Sequence, residues 1–241
     1  MSYARAELLR MTRDRMTFFF TVGFPLILFW VIAGPNVDAK GFDARGVTLG
    51  VYYMCTMAAY GAMIAVISLG GRIASERQTG WTRQLRISPL TPRTYFRTKL
   101  GVAFLAAGVT IGLLYVSGFA AGIRLPADRW LVMTGLIVLA LVPFAALGVW
   151  MGHLLTVNAV GPAVGAGTGL LALLSGFWFP INSGIVREIV EFLPSRWLVE
   201  ASQSAITGET WPLKGWIVVL GWSALLTLGA VRTYRRDAGL R

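Results

Sequence analysis

The sequence contains few of the residues from which enzymes build active sites. Its 241 residues include one cysteine, one histidine and 11 acidic residues. It has no GxxxxGKS/T phosphate loop, HExxH pair, GxSxG elbow or Cys/His cluster with the spacing of metal ligands. Cys55 has no disulfide partner within the chain, and we expect it to be a packed small side chain. The sequence therefore indicates no catalytic, nucleotide-binding or metal site of its own.

His153 is the one residue suited to acid–base chemistry at neutral pH. It lies at the end of the fourth apolar stretch, where we expect it to pack at the membrane interface. Pairing with a serine in an intramembrane enzyme is the alternative. No acidic residue in the middle of an apolar stretch supports that alternative.

Charge is scarce as well, since charged residues make up 14% of the chain and hydrophobic residues 56%. The mean hydropathy is +0.65, far from the balance of a soluble domain. Six apolar stretches are long enough to cross a bilayer, which takes ~20 residues of helix. Each should be a helix, because a helix forms all hydrogen bonds of the backbone N–H and C=O groups within the segment. The sequence thus predicts an all-α, polytopic integral membrane protein, a single domain over residues 1–241. The predicted spans are 17–34, 47–70, 99–122, 130–151, 158–179 and 213–231.

The basic residues are unevenly distributed between the two sides of the predicted spans. Fifteen of the 22 Lys and Arg residues, but four of the 11 acidic ones, fall in the amino terminus, the loop after span two and the tail. Because Lys and Arg in short loops favour the cytoplasm, we predict that both termini lie inside. The pI of about 10.7 also occurs in nucleic-acid-binding proteins, but anionic headgroups account for basic residues beside spans. Residues 3–15 are predicted as an interfacial helix or, alternatively, as a plain juxtamembrane anchor.

The central parts of the predicted spans contain no Asp, Glu, Lys or Arg. Carriers driven by protons or sodium usually place such groups there, despite a cost of roughly 2.5–3.5 kcal/mol each. Ion-coupled transport is therefore disfavoured. The protein either passes solute passively or takes energy from a partner.

A partner would dock on the loop of residues 72–97, because this loop carries a polar, Arg-rich insert between two apolar stretches. Ser75 and Gln78 fit a capping box that starts a short helix. Gly80 weakens or divides that helix, and Pro89 ends it.

The insert has one apolar helix face. Trp81 and Leu85 share it, and Arg83 and Arg86 lie on either side. Thr91, followed by proline, is predicted to cap the next helix. Two interpretations are open: a rigid knob on the cytoplasmic surface that docks a partner, or an amphipathic helix on lipid with Trp81 as its interface anchor.

Two runs of residues resemble a known family. The run Glu76-x-x-x-Gly80-Trp81-x-x-x-Leu85-x-x-Ser88-Pro89-Leu90-Thr91 is similar to the coupling-helix region of the ABC type-2 exporter permeases. The run Ser175-Gly176-Phe177-Trp178-Phe179-Pro180, followed by Leu193-Pro194 and Trp197, is similar to that family's end of span five and the outer helices before span six. Trp81 departs from the pattern, since a small hydroxyl residue is common there. The outer segment, residues 180–212, also lacks large external inserts.

The resemblance implies a permease subunit of an ATP-driven exporter in the bacterial cell (inner or plasma) membrane. It implies pairing with a second permease copy or a paralogue, and with two ATPase subunits that bind ATP and Mg²⁺, while this chain binds no cofactor. The implied ATPase-coupling residues are Glu76, Gly80, Trp81, Arg83, Leu85, Arg86, Ser88 and Pro89, with Glu76 alternatively anchoring the knob to a neighbouring arginine. The implied permease–permease interface is Gly161, Gly165 and Gly169, for which packing within the chain is the alternative. The implied outer gate is Phe177, Phe179 and Pro180.

The sequence gives less information about the transported molecule than about the fold. Spans one and two are rich in aromatic residues and methionine, which suits a hydrophobic or amphipathic compound such as a drug or natural product, and thus multidrug or antibiotic resistance. The same residue types also face lipid. Export of a lipid or polysaccharide, and a passive channel, are the alternatives. The residues concerned are Phe18, Phe19, Phe20, Phe24, Phe29, Trp30, Tyr52, Tyr53, Met54, Met57 and Tyr60.

Overall fold

The protein is an all-α membrane protein in the computed structural model, which describes residues 14–40, 46–80, 91–181, 185–207 and 211–237. The described residues are 84% helical and contain no strand. Six helical stretches are long and apolar enough to cross a membrane, which confirms the predicted fold class. The predicted interfacial helix at residues 3–15 lies almost entirely outside the described residues.

The helices are numbered in chain order, and spans two and four each consist of two consecutive helices. The first span mixes α-helical turns with π-helical turns at Phe19–Gly23 and Phe29–Ala33. Span two breaks at Ser68 and span four at Leu141, just before Pro143. The bounds are α1 Arg15–Asn36, α2 Leu49–Ile67, α3 Leu69–Gln78, α4 Pro92–Ala120, α5 Ala127–Ala140, α6 Val142–Leu154, α7 Val157–Ser175, α8 Ile185–Val190, α9 Pro194–Thr207 and α10 Leu213–Asp237.

Some predicted boundaries need correction. The loop predicted at residues 72–97 is shorter, because α3 continues to Gln78 and α4 begins at Pro92. The fifth span ends at Ser175 rather than at residue 179, because Gly176 adopts a left-handed backbone with φ +90°. It is therefore the shortest span, at 19 residues, whereas the first has 22.

Span two is the centre of the bundle. In its most apolar window 89% of the residues are buried, against 17% in span five. The α2 helix packs against α1, α4, α6 and α9, and its aromatic and methionine side chains fill the space between them. Its hydrophobic surface is thus used within the chain, while α7 leaves most of its surface uncovered.

Spans two and four approach each other closely through glycines. A Cβ atom added at Gly70 would lie 2.5 Å from the Gly148 carbonyl oxygen, and one at Gly148 would lie 2.8 Å from the Ile67 carbonyl oxygen. A Cβ at Gly152 would lie 2.7 Å from the Cβ of Ile73. Small residues allow this backbone-to-backbone packing of membrane helices.

The helix ends alternate between two ends of the bundle. At one end, which we call the basic end, lie residues 15, 72–80, 91–99, 152–157 and 232–236. Contacts of Arg77 with Gly152 and of Phe96 with Tyr234 join these residues. The alternation agrees with the predicted crossing order, while the cytoplasmic location of the basic end stays a prediction.

The connection between spans five and six folds back into the protein. Arg129, at the start of α5, donates from its guanidinium to the carbonyl oxygen of Ile206, with 2.9 Å between the two atoms. At the other end of α9, the Oγ atoms of Ser175 and Ser195 lie 2.6 Å apart. Since α9 also packs along α5, this part of the connection lies beside the spans.

Candidate functional site

The predicted coupling insert is described at its two ends only. Residues 81–90 lie outside the described residues, and so do the predicted coupling residues Trp81, Arg83, Leu85, Arg86, Ser88 and Pro89. The structure places the two helical stems that hold the insert. They are residues 73–80 of the first stem and residues 91–99 of the second.

The first stem ends in a glycine C-cap. The Thr79 amide donates to the Ser75 carbonyl oxygen at 3.0 Å, and Gly80, with φ +72°, donates to the Arg77 carbonyl oxygen at 3.2 Å. A left-handed glycine after the last helical turn is the usual end of a helix. The predicted capping box at Ser75 and Gln78 is therefore wrong, because Ser75 lies inside α3, whose preceding turns pack on α6.

The second stem begins as predicted. The Oγ1 atom of Thr91 accepts a hydrogen bond from the Thr94 amide at 3.3 Å, and Pro92 occupies the first helical position. A threonine side chain satisfies one of the free amides of the first turn, and proline has no amide to satisfy. Thr91 and Pro92 are confirmed as the start of α4.

A buried ion pair joins the two stems. Lys99 Nζ lies 2.6 Å from Glu76 Oε1, and the Tyr95 hydroxyl donates to Glu76 Oε2 at 2.7 Å. The exposed fractions of the Glu76, Tyr95 and Lys99 residues are 7%, 6% and 1%. We call these three residues the Glu76 clasp. The structure thus makes Glu76 an anchor within the chain, with Lys99 and Tyr95 as described partners, while the predicted contact with a neighbouring arginine stays a prediction.

Arg77 ties the first stem to span four. Its guanidinium donates to the carbonyl oxygens of Gly152, at 3.0 Å, and Leu155, at 3.4 Å. These carbonyls close the carboxyl end of α6, where the helix dipole favours a cation. The sequence interpretation missed Arg77, because its target is a set of backbone carbonyls that no motif marks.

Three aromatic rings tie the second stem to spans four and six. Ring centroids are 5.0 Å apart for Phe96 and Tyr234, 5.5 Å for His153 and Tyr234, and 6.2 Å for Phe96 and His153. The imidazole of His153 is buried, with 4% of the residue exposed. This packing agrees with the structural role expected for His153 and places no serine beside it in the contacts described.

The glycines of span five have no close neighbour among the described residues. A Cβ atom added at Gly161, Gly165 or Gly169 would meet nothing within 4 Å. Packing within the chain, the alternative explanation of this repeat, therefore has no support in the described contacts. Their role as a permease–permease interface stays a prediction.

The predicted outer-gate residues have different surroundings. Phe177 is fully buried and packs on Tyr60 with 5.6 Å between ring centroids, whereas Phe179 is 57% exposed and Pro180 is partly buried. The Tyr52 and Tyr53 hydroxyls donate to the carbonyl oxygens of Gly176 and Trp178. These tyrosines fix the turn after span five, and nothing in their local sequence signals a partner about 120 residues away.

A buried ion pair lies on α9, outside the six spans. Arg196 and Glu200 are one helical turn apart and form a salt bridge, with side chains 7% and 14% exposed. The prediction that the central parts of the spans contain no charged residue is unaffected, because this pair lies on α9. Near the surface, a hydrogen bond from Lys214 to Glu191 lowers the pKa of that carboxyl.

Comparison with known proteins identifies relatives over almost the whole chain. Residues 35–232 match the family described as "ABC-2 family transporter protein". A protein of Bacillus subtilis (strain 168), named "Putative transport permease YvfS", is 23% identical over 232 residues, which is 92% of this chain and 91% of that protein.

Proposed function

Because the chain belongs to the ABC-2 transporter family and is the transmembrane permease subunit of an ABC transporter, we propose that it exports a hydrophobic or amphipathic compound. Separate ATPase subunits, which carry ATP and Mg²⁺, would power this export. The observation that carries the proposal is the family match over residues 35–232 on a fold of six spans. The protein is a multi-pass membrane protein, and we propose the bacterial cell membrane as its location.

The ATPase would dock on the insert of residues 81–90 at the basic end. Two features support this proposal. The insert carries the apolar residues Trp81 and Leu85 together with Arg83 and Arg86. Its stems are joined to each other by the buried Glu76–Lys99 pair, and Arg77 bonds the first stem to the end of α6. Stems held by such contacts would transmit a push on the insert to the helices of the bundle.

A second permease subunit would cover the glycine face of span five. In support, Gly161 and Gly165 are exposed and free of close neighbours among the described residues, and small residues at this spacing let two helices approach closely in lipid. Two permease and two ATPase subunits would form the transporter. ATP binding would then favour one of two rigid-body arrangements of the permeases.

An aromatic cluster beside span two supports the proposed cargo class. The aromatic and methionine side chains of this span are buried in the protein, whereas Phe18, Phe19 and Phe20 of span one are exposed on the bundle surface. Near the opposite end of the bundle Tyr60, Phe177 and Trp178 form an aromatic cluster with Phe24, with ring centroids 5.6 to 6.5 Å apart. Aromatic faces suit a hydrophobic or amphipathic compound.

Reconstitution of the transporter tests this function. The permease is purified in mild detergent with the ATPase that it retains. The complex is placed in vesicles so that the basic end of the permease faces the outside solution. We expect uptake of an amphipathic fluorescent dye that requires ATP and is lost in Leu85→Asp, because a carboxylate would oppose burial in a groove on the ATPase.

The alternatives give different results in the same vesicles. Transfer of a fluorescent phospholipid without transfer of the dye would replace the cargo proposal with lipid export. Dye flux through the permease alone, without ATP, would contradict ATP-driven export. In Leu85→Asp, an unchanged thermal unfolding midpoint separates loss of docking from loss of the fold.

A further inference from the structure

The Glu76 clasp joins two helices that otherwise pack on different partners. The α3 helix packs mainly on α6, and α4 packs mainly on α2. The insert of residues 81–90 leaves α3 and enters α4, so its two ends belong to separately packed helices. The bonds from Lys99 and Tyr95 to Glu76 are a polar link between them.

The burial of this pair indicates that it fixes the relative position of the two stems rather than adding to the stability of the fold. The Lys99 side chain is 0% exposed and that of Glu76 is 8% exposed. Taking two charges out of water costs free energy that their attraction only partly recovers, and apolar residues of similar volume are often at least as stabilising. What the pair supplies is a directed bond, since the two carboxylate oxygens of Glu76 receive different donors.

The other buried ion pair described above offers a contrast. Arg196 and Glu200 lie one turn apart on α9, so their salt bridge links residues that the helix already holds together. Glu76 and Lys99 are 23 residues apart and lie on the two sides of the insert. The Glu76 clasp therefore restrains a distance that the backbone leaves open.

We propose that Glu76, Tyr95 and Lys99 act as positioning residues that make the two stems move together, so that a push on residues 81–90 reaches spans two and three as one displacement. This inference rests on the proposed function, because it requires an ATPase that acts on the insert. Without the clasp, the insert would move relative to one stem and the push would be absorbed at the basic end. ATP would still be hydrolysed, but the opposite end of the permease would not respond.

The test compares ATP hydrolysis with a conformational readout in the purified permease–ATPase complex. Phe179 is exposed at the opposite end, and Phe179→Cys in a Cys55→Ala background gives the permease a single thiol there. The rate at which maleimide labels this thiol reports an ATP-dependent change in conformation. The variants are Lys99→Met, Tyr95→Phe and the double replacement Glu76→Gln with Lys99→Met. Leu114→Ala creates a cavity at a fully buried position of the same helix α4, and it is the control for an effect of lost stability alone.

We expect Lys99→Met to lose both stability and the ATP-dependent change in labelling, because it removes the ammonium group that lies 2.6 Å from the buried Glu76 carboxylate. The double replacement should recover much of the stability, since no buried charge is left unpaired, and still lose the labelling change while ATP hydrolysis continues. Tyr95→Phe should retain part of the change. Leu114→Ala should be less stable and keep the whole change.

Two results would overturn the proposal. If the double replacement shows the full ATP-dependent labelling change, the clasp is a structural bond only. If Leu114→Ala loses the change to the same extent, lost stability explains every variant. Failure of the proposed function is recognised separately, because the parent complex would then show no ATP-dependent labelling, and the clasp proposal would fall with it.

Discussion

At the scale of single residues, Gly70, Gly148 and Gly152 determine how closely span two approaches span four. The positions that their Cβ atoms would take are filled by backbone atoms of the facing helix or by the Cβ of Ile73. Backbone atoms cannot move aside as a flexible side chain can. The stem that begins near Ile73 is therefore positioned by glycines as well as by Arg77, which bonds to the end of the same helix α6.

We expect Gly148→Ala to destabilise the protein by about 1–3 kcal/mol through overpacking, because its methyl group would lie 2.8 Å from the Ile67 carbonyl oxygen. Thermal unfolding in detergent measures the change. Gly101→Ala is the matched control, since this glycine lies in α4 and its Cβ would meet nothing within 4 Å. An equal unfolding midpoint for Gly148→Ala and Gly101→Ala would contradict the close approach.

At the scale of elements, span five differs from the rest of the bundle in how little of it the chain covers. Its glycines Gly161, Gly165 and Gly169 are open, and Leu170 and Leu173 are more than half exposed on the same helix. Span two, by contrast, is covered almost completely. Elements of similar hydropathy thus have opposite positions, one at the centre and one at the edge.

The proposed interface on span five is tested by Gly165→Leu. The leucine would have space in the single chain but would separate two helices packed through glycine, so we expect the paired permease to dissociate while the unfolding midpoint of each subunit is kept. Light scattering in detergent measures the molecular mass of the permease and so distinguishes the pair from the single subunit. Gly112→Leu is the control, because this glycine of span three is equally open. A paired mass in Gly165→Leu, or its loss in Gly112→Leu, would rule out this interface.

At the scale of the whole molecule, charge separates the two ends of the bundle. The alternating helix ends gather nine described Lys and Arg residues at the basic end, and the described acidic residues there are Asp14, Glu76 and Asp237. Basic residues in short loops favour the cytoplasmic side. The orientation of the molecule, and thus the side on which an ATPase can reach the insert, depends on this asymmetry. The nine residues are Arg15, Arg72, Arg77, Arg93, Arg97, Lys99, Arg232, Arg235 and Arg236.

Thiol labelling in intact cells tests this orientation. In a Cys55→Ala background, we expect a cysteine at Arg83 to react with a membrane-impermeant maleimide only after the cells are opened. A cysteine at Asp38, which is exposed at the opposite end, should react in intact cells. The reverse pattern would place the insert outside, beyond the reach of any ATPase in the cytoplasm, and would contradict the proposed function.

Several features of this protein were determined by the sequence alone. The number, order and approximate bounds of the six spans follow from apolar length, because a lipid bilayer imposes the same requirement on every helix that crosses it. The start of α4 at Thr91 and Pro92 followed from local rules of capping. The family resemblance also followed from short runs of residues, and the match over residues 35–232 confirms it.

Other features were decided only by the tertiary structure. The partners of Glu76, the carbonyls that Arg77 contacts and the burial of Arg196 and Glu200 depend on which helices become neighbours, and neighbours in space leave no periodic signal in one sequence. Ser75 shows the same limit, because its capping pattern was overridden by the packing of α3 on α6. Local rules operate within a few residues of the chain, whereas the contacts of Glu76 and Arg77 join residues separated by 19 to 78 positions.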